Sequence, residues 1–562
     1  MIKWHSLAII IAVSLVALSI PEGPSGNETM VTTPNLAEIV RESLRRRIES
    51  AGVPPHIKIG EERIYASLAL PRFYQERTFA PAWIDDRGVT TAAEDLLEAL
   101  RGAYQEGLIP EDYHLEGIAT RLDKARTPGG AGPDLYVDLE LLLTDGFLVY
   151  ASHLLSGRVN PETLDPEWIA TRREGDLAQV LEKALQGAGI KEELPSLLPM
   201  GPGYRRLKTA LAHYRRISDQ GGWPTVSPGP KLELGSIDGR VQELRRRLAA
   251  ENLLADGMTA DPEAFDATLR DAVLDFQELR GLDVDGIVGQ KTIGALNIPV
   301  ERTVEKILLN LERWRWLPQD LGTRYLLVNV ADFHLFVVQN ADTILTMKVV
   351  VGKDQRRTPV FSAMMTYLVM SPYWNVPPGI ASKDILPKVQ KDPGFLAAQK
   401  IRVYSGWGAD AREVDPSTVR WAGMSAQRLP YRFRQDPGPQ NALGLVKFMF
   451  PNKFDVYLHD TPAKGLFAKA ERAFSSGCIR IEKPVELAHY LLSDDPQWTP
   501  EQIVKVEQEG RERTVSLPHP IRVHLLYWTA WVDRANRCHL RRDIYDRDRL
   551  LLEALREPPP VQ

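Results

Sequence analysis

One part of the sequence combines residue types that could transfer an acyl group through a thiol. His459 ends the apolar run 456–458, and Cys478 directly follows Gly477 in the segment 474–481. A thiolate is a strong nucleophile, and an imidazole can remove the thiol proton. The N–H groups of Gly477 and Cys478 could stabilise the developing oxyanion. The pattern therefore predicts Cys478 as nucleophile and His459 as base, although a structural role for a small buried cysteine stays open at this point.

The composition and the first residues indicate an exported globular protein. The chain has 562 residues, 69 basic and 74 acidic side chains and a net charge of −5, which is unlike the basic footprint of a nucleic-acid binder. Lys3 precedes the apolar run Leu7 to Ile20, and Pro21 follows it. This layout predicts a signal peptide or an uncleaved N-terminal anchor over residues 1–20.

The small number of cysteines also bears on the chemistry. Only Cys478 and Cys538 are present, fewer than an exported protein with a disulfide framework would have. A disulfide between the two stays open. An exposed thiol in an oxidising compartment is a hazard, which favours a working role for Cys478.

Two helical regions precede the candidate chemistry. Apolar residues recur at helical spacing in Ala92–Leu108 and Leu139–Leu155, so we expect a helical scaffold domain over 34–230. Proline and glycine then mark a boundary, and three short helices are expected over 236–298. Asp283 and Asp285 suggest a calcium loop, but the first and twelfth loop positions are not the required oxygen donors.

Short β-type runs begin after residue 305, and they predict a mainly β catalytic domain over 305–497. The runs are Tyr325–Val330, His334–Val338, Thr343–Val351, Met365–Met370 and Lys447–Phe450. Between them, about 381–440 holds six Pro and five Gly and is interpreted as an insertion, either a lid or a plain surface excursion. Residues 498–562 are predicted to be a C-terminal extension. The expected fold class is multidomain α+β.

The motifs resemble known bacterial cell-wall proteins. Residues 236–298 are similar to the three-helix peptidoglycan-binding domain, in particular through Gly281-Leu282, Val284-Asp285-Gly286 and Val288-Gly289. The spacing of 15 residues between His459 and Ser475, followed by Gly477-Cys478, resembles the L,D-transpeptidase family. Ser476 stands where the common motif has His, as in the large subgroup with a helical scaffold and a Ser-Ser-Gly-Cys motif.

The resemblance implies a role for each site residue. Cys478 would attack the diamino-acid carbonyl of a donor tetrapeptide and expel D-Ala, while His459 would move the protons. Because Ser476 replaces His, another group or a main-chain carbonyl must orient His459. The remaining expected roles are an oxyanion hole or pocket wall at Gly477, Ser476 and Tyr457, carboxylate contact or loop bracing at Arg480, and a substrate groove at Trp374, Asn375 and Trp421.

The resemblance also implies partners and location. The partners would be peptidoglycan, as tetrapeptide donor and stem-peptide acceptor, and carbapenem-type inhibitors, with no metal, cofactor or nucleic acid. The protein would act in wall biogenesis and cell shape in the periplasm or cell envelope, touching the membrane only through an N-terminal anchor.

Three other functions stay open from the sequence. A zinc peptidase or amidase with a peptidoglycan-binding domain would need spaced His and carboxylate ligands, which the scattered histidines do not offer. A papain-like protease would need a downstream His such as His519, His524 or His539. The third alternative is a non-catalytic wall-binding protein.

Overall fold

The computed structural model describes residues 35–52, 56–129, 131–169, 172–255, 261–406, 408 and 410–561. The predicted signal or anchor over 1–20 lies outside these ranges. Among the helices within them, none combines the length and the apolar character that a membrane crossing requires.

The N-terminal region is helical and packs around one long central helix. That helix, Pro133–Ser156, is buried on nearly all of its faces. It carries two buried acids, and main-chain N–H groups satisfy both: Glu140 accepts from Ala82 and Trp83, and Asp145 accepts from Tyr65 and Ala66. The surrounding helices are Leu36–Glu49, Ala69–Glu76, Thr91–Arg101, Leu115–Arg126, Leu177–Lys183, Ile190–Ser196 and Pro202–Asp219.

A compact three-helix unit follows. Its helices are Arg240–Ala249, Ala267–Arg280 and Gln290–Leu296. The side chain of Asp266 accepts the N–H of Leu269 and so caps the second helix. Val241 and Leu244 of the first helix meet Leu269, Val273 and Phe276 of the second in a single core.

The C-terminal region is rich in β-structure. Its strands are β1 (Arg324–Asn329), β2 (His334–Gln339), β3 (Asp342–Gly352), β4 (Phe361–Met370), β5 (Trp374–Asn375), β6 (Ile401–Ser405), β7 (Arg412–Val414), β8 (Tyr431–Gln435), β9 (Val446–Met449), β10 (Leu458–His459), β11 (Ala473–Ser475), β12 (Ile479–Ile481), β13 (Arg513–Leu526), β14 (Ala530–Val532) and β15 (Cys538–Leu540). Helices Val300–Arg315, Pro484–Leu492, Pro500–Gln508 and Arg547–Arg556 flank them.

Nine of these strands form one sheet that closes on itself. Their order is β11-β3-β12-β10-β9-β4-β13-β1-β2, and β2 also pairs with β3. Closure removes most of the free sheet edge and encloses a continuous apolar core. The strands that carry the candidate chemistry, β10 and β12, lie side by side and parallel in this sheet.

Two predicted boundaries differ from the structure. The segment predicted as a C-terminal extension, 498–562, contributes β13, which lies between β4 and β1 inside the sheet. The sequence of β13 contains prolines at positions 518 and 520, and because of these prolines the segment was not predicted as a strand. The insertion predicted at about 381–440 forms a separate four-stranded sheet, β7-β6-β8-β5, that already begins at Trp374 and has its own hydrophobic core.

Candidate active site

Three neighbouring strands place a row of polar side chains on one face of the sheet. Lys447 of β9 pairs with His459 of β10, and His459 pairs with Arg480 of β12. Alternate residues of a strand point to opposite faces, and the neighbours Leu458, Ile479 and Ile481 fill the barrel core. The row Lys447–His459–Arg480 therefore lies on the opposite face.

Tyr457 and Cys478 lie on the same face of the sheet, two residues before His459 and Arg480 respectively. Ile479 N–H donates to the carbonyl of Tyr457 at 3.1 Å, which aligns Cys478 beside Tyr457. These two residues and the row Lys447–His459–Arg480 line one cavity of about 1450 Å³. The structure thus brings Cys478, His459, Tyr457 and Arg480 together as the sequence motifs predicted, and it adds Lys447, which sequence reasoning missed.

Hydrogen bonds within the loop before β12 hold the cysteine in place. Gly477 has φ of +114°, a backbone conformation that strongly favours glycine. The Ser475 hydroxyl donates to the Cys478 carbonyl at 2.5 Å and accepts the Gly477 N–H at 3.2 Å. The Gly477 N–H is therefore already occupied, whereas in the described part of the chain the Cys478 N–H has no hydrogen-bond acceptor. This occupancy weakens the predicted role of Gly477 in an oxyanion hole.

Thr358 and Tyr545 also hold this loop in place through hydrogen bonds. The Thr358 hydroxyl donates to the Gly477 carbonyl at 2.8 Å and accepts the Gly352 N–H at 2.9 Å. Tyr545 donates its hydroxyl to the Gly352 carbonyl at 2.5 Å and accepts the Thr358 N–H at 3.2 Å. Tyr545 comes from the segment predicted as an extension, so that segment reaches the catalytic loop.

A main-chain carbonyl orients His459. Its Nδ1 lies 2.5 Å from the Asp460 carbonyl oxygen, which can only accept, so Nδ1 carries the hydrogen and Nε2 keeps its lone pair. Burial, together with the positive charges of Arg480 and Lys447, lowers the pKa of His459 to about 3, although the carbonyls of Asp460 and Leu443 act in the opposite direction. The imidazole is therefore neutral across the physiological range, as a general base requires.

The thiol of Cys478 is also neutral in the resting structure. Cys478 is half-buried, and burial raises its pKa, while hydrogen bonding by Tyr457 and the charges of Lys447 and Arg480 act in the opposite direction. Burial, and then the nearby Cys478, raise the pKa of the Tyr457 hydroxyl. The thiol donates to the Asp455 carbonyl at 3.8 Å, so in this structure its hydrogen is not yet shared with the imidazole.

Ser476 connects the catalytic loop to the insertion. Arg356 donates from Nη1 to the Ser476 hydroxyl at 2.7 Å, and the same guanidinium forms an ion pair with Asp384. Asp384 lies in the helical turn Ala381–Ile385 of the insertion. Ser476 lines the cavity, but its hydroxyl bonds to Arg356 and takes no part in orienting His459.

The predicted groove residues fall in two places. Trp374 and Asn375 line the cavity that contains Cys478. Trp421 does not: it is buried in the core of the insertion, packs against Tyr431 and Phe433 and donates its indole N–H to the Pro416 carbonyl. The prediction of Trp421 as a groove residue is wrong, because the insertion has a core of its own that this indole fills.

The structure also places the second cysteine and two of the histidines that the alternative functions involve. Cys478 and Cys538 are both free, and Cys538 is buried beyond reach of the cavity, with its pKa raised to about 12 by burial. His524 bonds to Ser362 and the Leu321 carbonyl, and His539 to Asp533. These contacts, like the cavity lining, place neither histidine beside Cys478. Within the described ranges, no group of three or more His, Cys, Asp or Glu is arranged to hold a metal ion.

Comparison with known families assigns three parts of the chain. Residues 323–506 match the L,D-transpeptidase catalytic domain, residues 238–296 a peptidoglycan binding domain and residues 68–211 a scaffold domain. These matches confirm both the resemblance and the predicted fold class, a helical scaffold followed by a helical wall-binding unit and a β-rich catalytic domain.

Individual relatives cover only part of the chain. A Haemophilus influenzae protein, named as an L,D-transpeptidase by inference, is 36% identical over 254 residues, or 44% of this chain and 48% of the relative. The chain thus spans about half the length of that relative. The Mycobacterium tuberculosis N-acetylmuramoyl-L-alanine amidase CwlM is 41% identical over 80 residues, or 13% of this chain and 20% of CwlM. The crystal structure of an L,D-transpeptidase from Xylanimonas cellulosilytica is 15% identical and covers 53% of this chain and 100% of its own, with a TM-score of 0.18, which is too low to carry an argument.

Proposed function

We propose, on the premise that residues 323–506 are an L,D-transpeptidase catalytic domain, that this protein cross-links the stem peptides of peptidoglycan through an acyl-enzyme on Cys478. The observation that carries the proposal is the cavity lined both by the neutral His459 of β10 and by Cys478, which directly precedes the parallel strand β12. The peptidoglycan binding domain over 238–296 supports a polymeric wall substrate.

The first half-reaction forms a thioester. The Cys478 sulfur attacks the carbonyl of the diamino acid in a donor tetrapeptide while His459 Nε2 takes the thiol proton. The free Cys478 N–H is the donor placed to stabilise the oxyanion. The tetrahedral intermediate collapses by breaking the peptide bond, and D-Ala leaves as the amine after receiving the proton from His459.

The second half-reaction transfers the acyl group. The side-chain amine of a second stem attacks the thioester carbonyl, and His459 accepts the proton that this amine loses. The carbon–sulfur bond breaks, the cross-link between two diamino acids forms, and the proton returns to the Cys478 sulfur. Each group ends in its starting state, as a catalytic cycle requires.

The proposed location follows from the substrate. Peptidoglycan lies outside the cytoplasmic membrane, so the protein acts in the periplasm or cell envelope, with residues 1–20 as the export signal or anchor. Wall cross-linking of this kind would contribute to wall biogenesis and cell shape.

Purified tetrapeptide muropeptides test the activity. We expect cross-linked dimers and free D-Ala, measured by mass spectrometry, and none of either from Cys478→Ser or from folded His459→Ala. The matched control is Cys538→Ser, which removes the other thiol and should keep full turnover. Tripeptide products without dimers would show that water is the acceptor, and turnover by Cys478→Ser would refute the mechanism.

A carbapenem provides a second test that needs no acceptor. The strained lactam carbonyl of a carbapenem should acylate the Cys478 thiol, adding the mass of the intact drug. Intact-mass and peptide mapping should locate the adduct on Cys478 in the wild type and find none in Cys478→Ser. Absence of an adduct in the wild type would count strongly against the proposal.

A further inference from the structure

Two cations on the cavity wall lack partners of their own. In the described part of the chain, neither the Lys447 ammonium nor the Arg480 guanidinium has an ion pair or a hydrogen-bond acceptor in the protein, and Arg480 Nε is buried without a partner. Nearby Arg472 behaves differently, since its guanidinium donates to the carbonyls of Val349, Lys469 and Phe333. Other buried arginine nitrogens of the described residues also lack an acceptor, such as those of Arg432 and Arg434, but Arg480 is the one of them that lines the cavity beside Cys478.

Burial makes this arrangement unfavourable unless an anion joins it. Burial lowers the pKa of both Lys447 and Arg480, because removing a cation from water penalises its charged form. Buried charges in proteins are normally paired. The charge of Glu512 acts on Lys447, but among the described residues no acid forms an ion pair with either cation, so the anion that completes the arrangement is one that a ligand can bring.

The register places both cations close to the reacting thiol. Lys447 and Arg480 lie on either side of His459, and neighbouring strands are about 4.8 Å apart. Arg480 lies two residues beyond Cys478, which directly precedes β12, and two residues of extended chain span roughly 6.5 Å. The Lys447 ammonium also lies 4.9 Å from the centre of the Tyr457 ring, which holds it beside the thiol.

We propose that Lys447 and Arg480 form the subsite for the terminal carboxylate of the residue that leaves the donor peptide. This inference rests on the proposed function and adds to it the element that selects the donor. Consecutive Cα atoms are about 3.8 Å apart, so a carboxylate one residue beyond the attacked carbonyl falls within reach of both cations. A peptide with a further residue at this end would present a neutral amide there instead.

A pair of donor peptides that differ in one group tests the subsite. One donor ends in the D-Ala carboxylate and the other in its carboxamide, and release of D-Ala or D-alaninamide is measured as kcat/KM. For the wild type we expect the carboxamide to be slower by about 10- to 100-fold, the scale of a lost charge-assisted hydrogen bond. Lys447→Met and Arg480→Gln should slow the carboxylate donor by a similar factor and change the carboxamide donor by less than about threefold, so that the selectivity ratio collapses.

Controls separate recognition from effects on the thiol. The two cations also stabilise the thiolate, so alkylation of Cys478 by neutral iodoacetamide is measured in each variant and used to correct both donor rates. Lys383→Met, on the insertion wall of the same cavity, should keep the wild-type ratio. Arg480→Lys retains the charge and should recover part of the ratio.

The outcomes are distinct. A wild-type selectivity ratio in folded Lys447→Met and Arg480→Gln would overturn the subsite. Equal rates for the two donors in the wild type would overturn it as well. Failure of the wild type to release an amine from either donor would instead remove the proposed function, on which the subsite rests.

Discussion

At the scale of single residues, burial keeps both Cys478 and His459, the proposed nucleophile and base, in their neutral forms. The Asp460 carbonyl fixes the imidazole so that Nε2 is the basic nitrogen, and the adjacent cations oppose its protonation. Ser476 stands where the common family motif has His, and its hydroxyl accepts a hydrogen bond from Arg356. The orientation of the base therefore depends on main-chain geometry and not on a side chain in the motif.

The pH dependence of thiol alkylation should reflect this neutral pair. Burial raises the pKa of Cys478 above its usual value of 9.0, so the thiolate fraction grows as pH rises and is largest above that pKa. We expect the rate of iodoacetamide alkylation to rise throughout the range from pH 6 to 9, followed by intact mass with Cys478→Ser as control. A plateau already reached below pH 7 would indicate a thiolate–imidazolium pair and contradict this interpretation.

Gly477→Ala should impair activity more than stability. A β-carbon at φ of +114° strains the backbone by about 1–3 kcal/mol, and relief of that strain would move the Cys478 N–H and sulfur. We expect a loss of turnover of at least 100-fold with a cooperative, slightly lowered thermal transition. Gly465→Ala is the matched control, because its β-carbon would meet open space; equal activity of the two variants would refute the argument.

At the scale of elements, the insertion takes part in the site although it has its own core. Its sheet β7-β6-β8-β5 is separate from the barrel, and its residues Lys383, Asp384 and Ile385 line the cavity. The contact from Asp384 through Arg356 to Ser476 ties the insertion to the catalytic loop. The arrangement favours the lid over a plain surface excursion, and that role stays a proposal.

Asp384→Asn tests the connection between the insertion and the loop. The pair is partly exposed, with side-chain exposures of 20% and 35%, so its loss should weaken the contact by no more than about 1 kcal/mol. We expect turnover to fall about two- to fivefold and proteolysis within the insertion to become faster. Glu413→Gln, which loses an ion pair with Arg402 away from the cavity, should change neither quantity.

At the scale of the whole molecule, chain ends and domains meet at the catalytic barrel. Scaffold residue Trp168 pairs with Val360 of the catalytic region, and Arg547 forms a buried ion pair with Asp165. β13 lies inside the sheet, and Tyr545 braces the catalytic loop. Residues beyond 497 are therefore part of the catalytic fold.

Truncation checks this placement. A chain ending at residue 497 loses β13 with its apolar core residues Val523 and Leu525, and it exposes the edges of β1 and β4 and the core that these residues covered. We expect it to lose its cooperative thermal transition and to aggregate. A chain ending at residue 560 removes only two residues beyond the last helix and should retain stability and activity. A soluble, active protein from the chain that ends at residue 497 would contradict the structure.

The sequence by itself determined the parts that depend on nearby residues. Helical periodicity predicted the scaffold and the wall-binding helices, runs rich in β-branched and aromatic residues predicted β1, β2, β3, β4 and β9, and the motif around His459 and Cys478 predicted the reacting pair. These features are readable because their physical basis, such as side-chain period or a glycine with positive φ, lies within a few residues.

Only the tertiary structure decided what surrounds that pair. Lys447, Thr358, Arg356 and Tyr545 reach the site from other strands or loops, up to 193 residues from their partners, and Trp421 is kept away from it by the core of the insertion. Strand pairing and the packing of separate cores bring such residues together or hold them apart. A contact between distant residues leaves no local pattern in the chain, so the charge, support and orientation of the site become visible only once the barrel has closed.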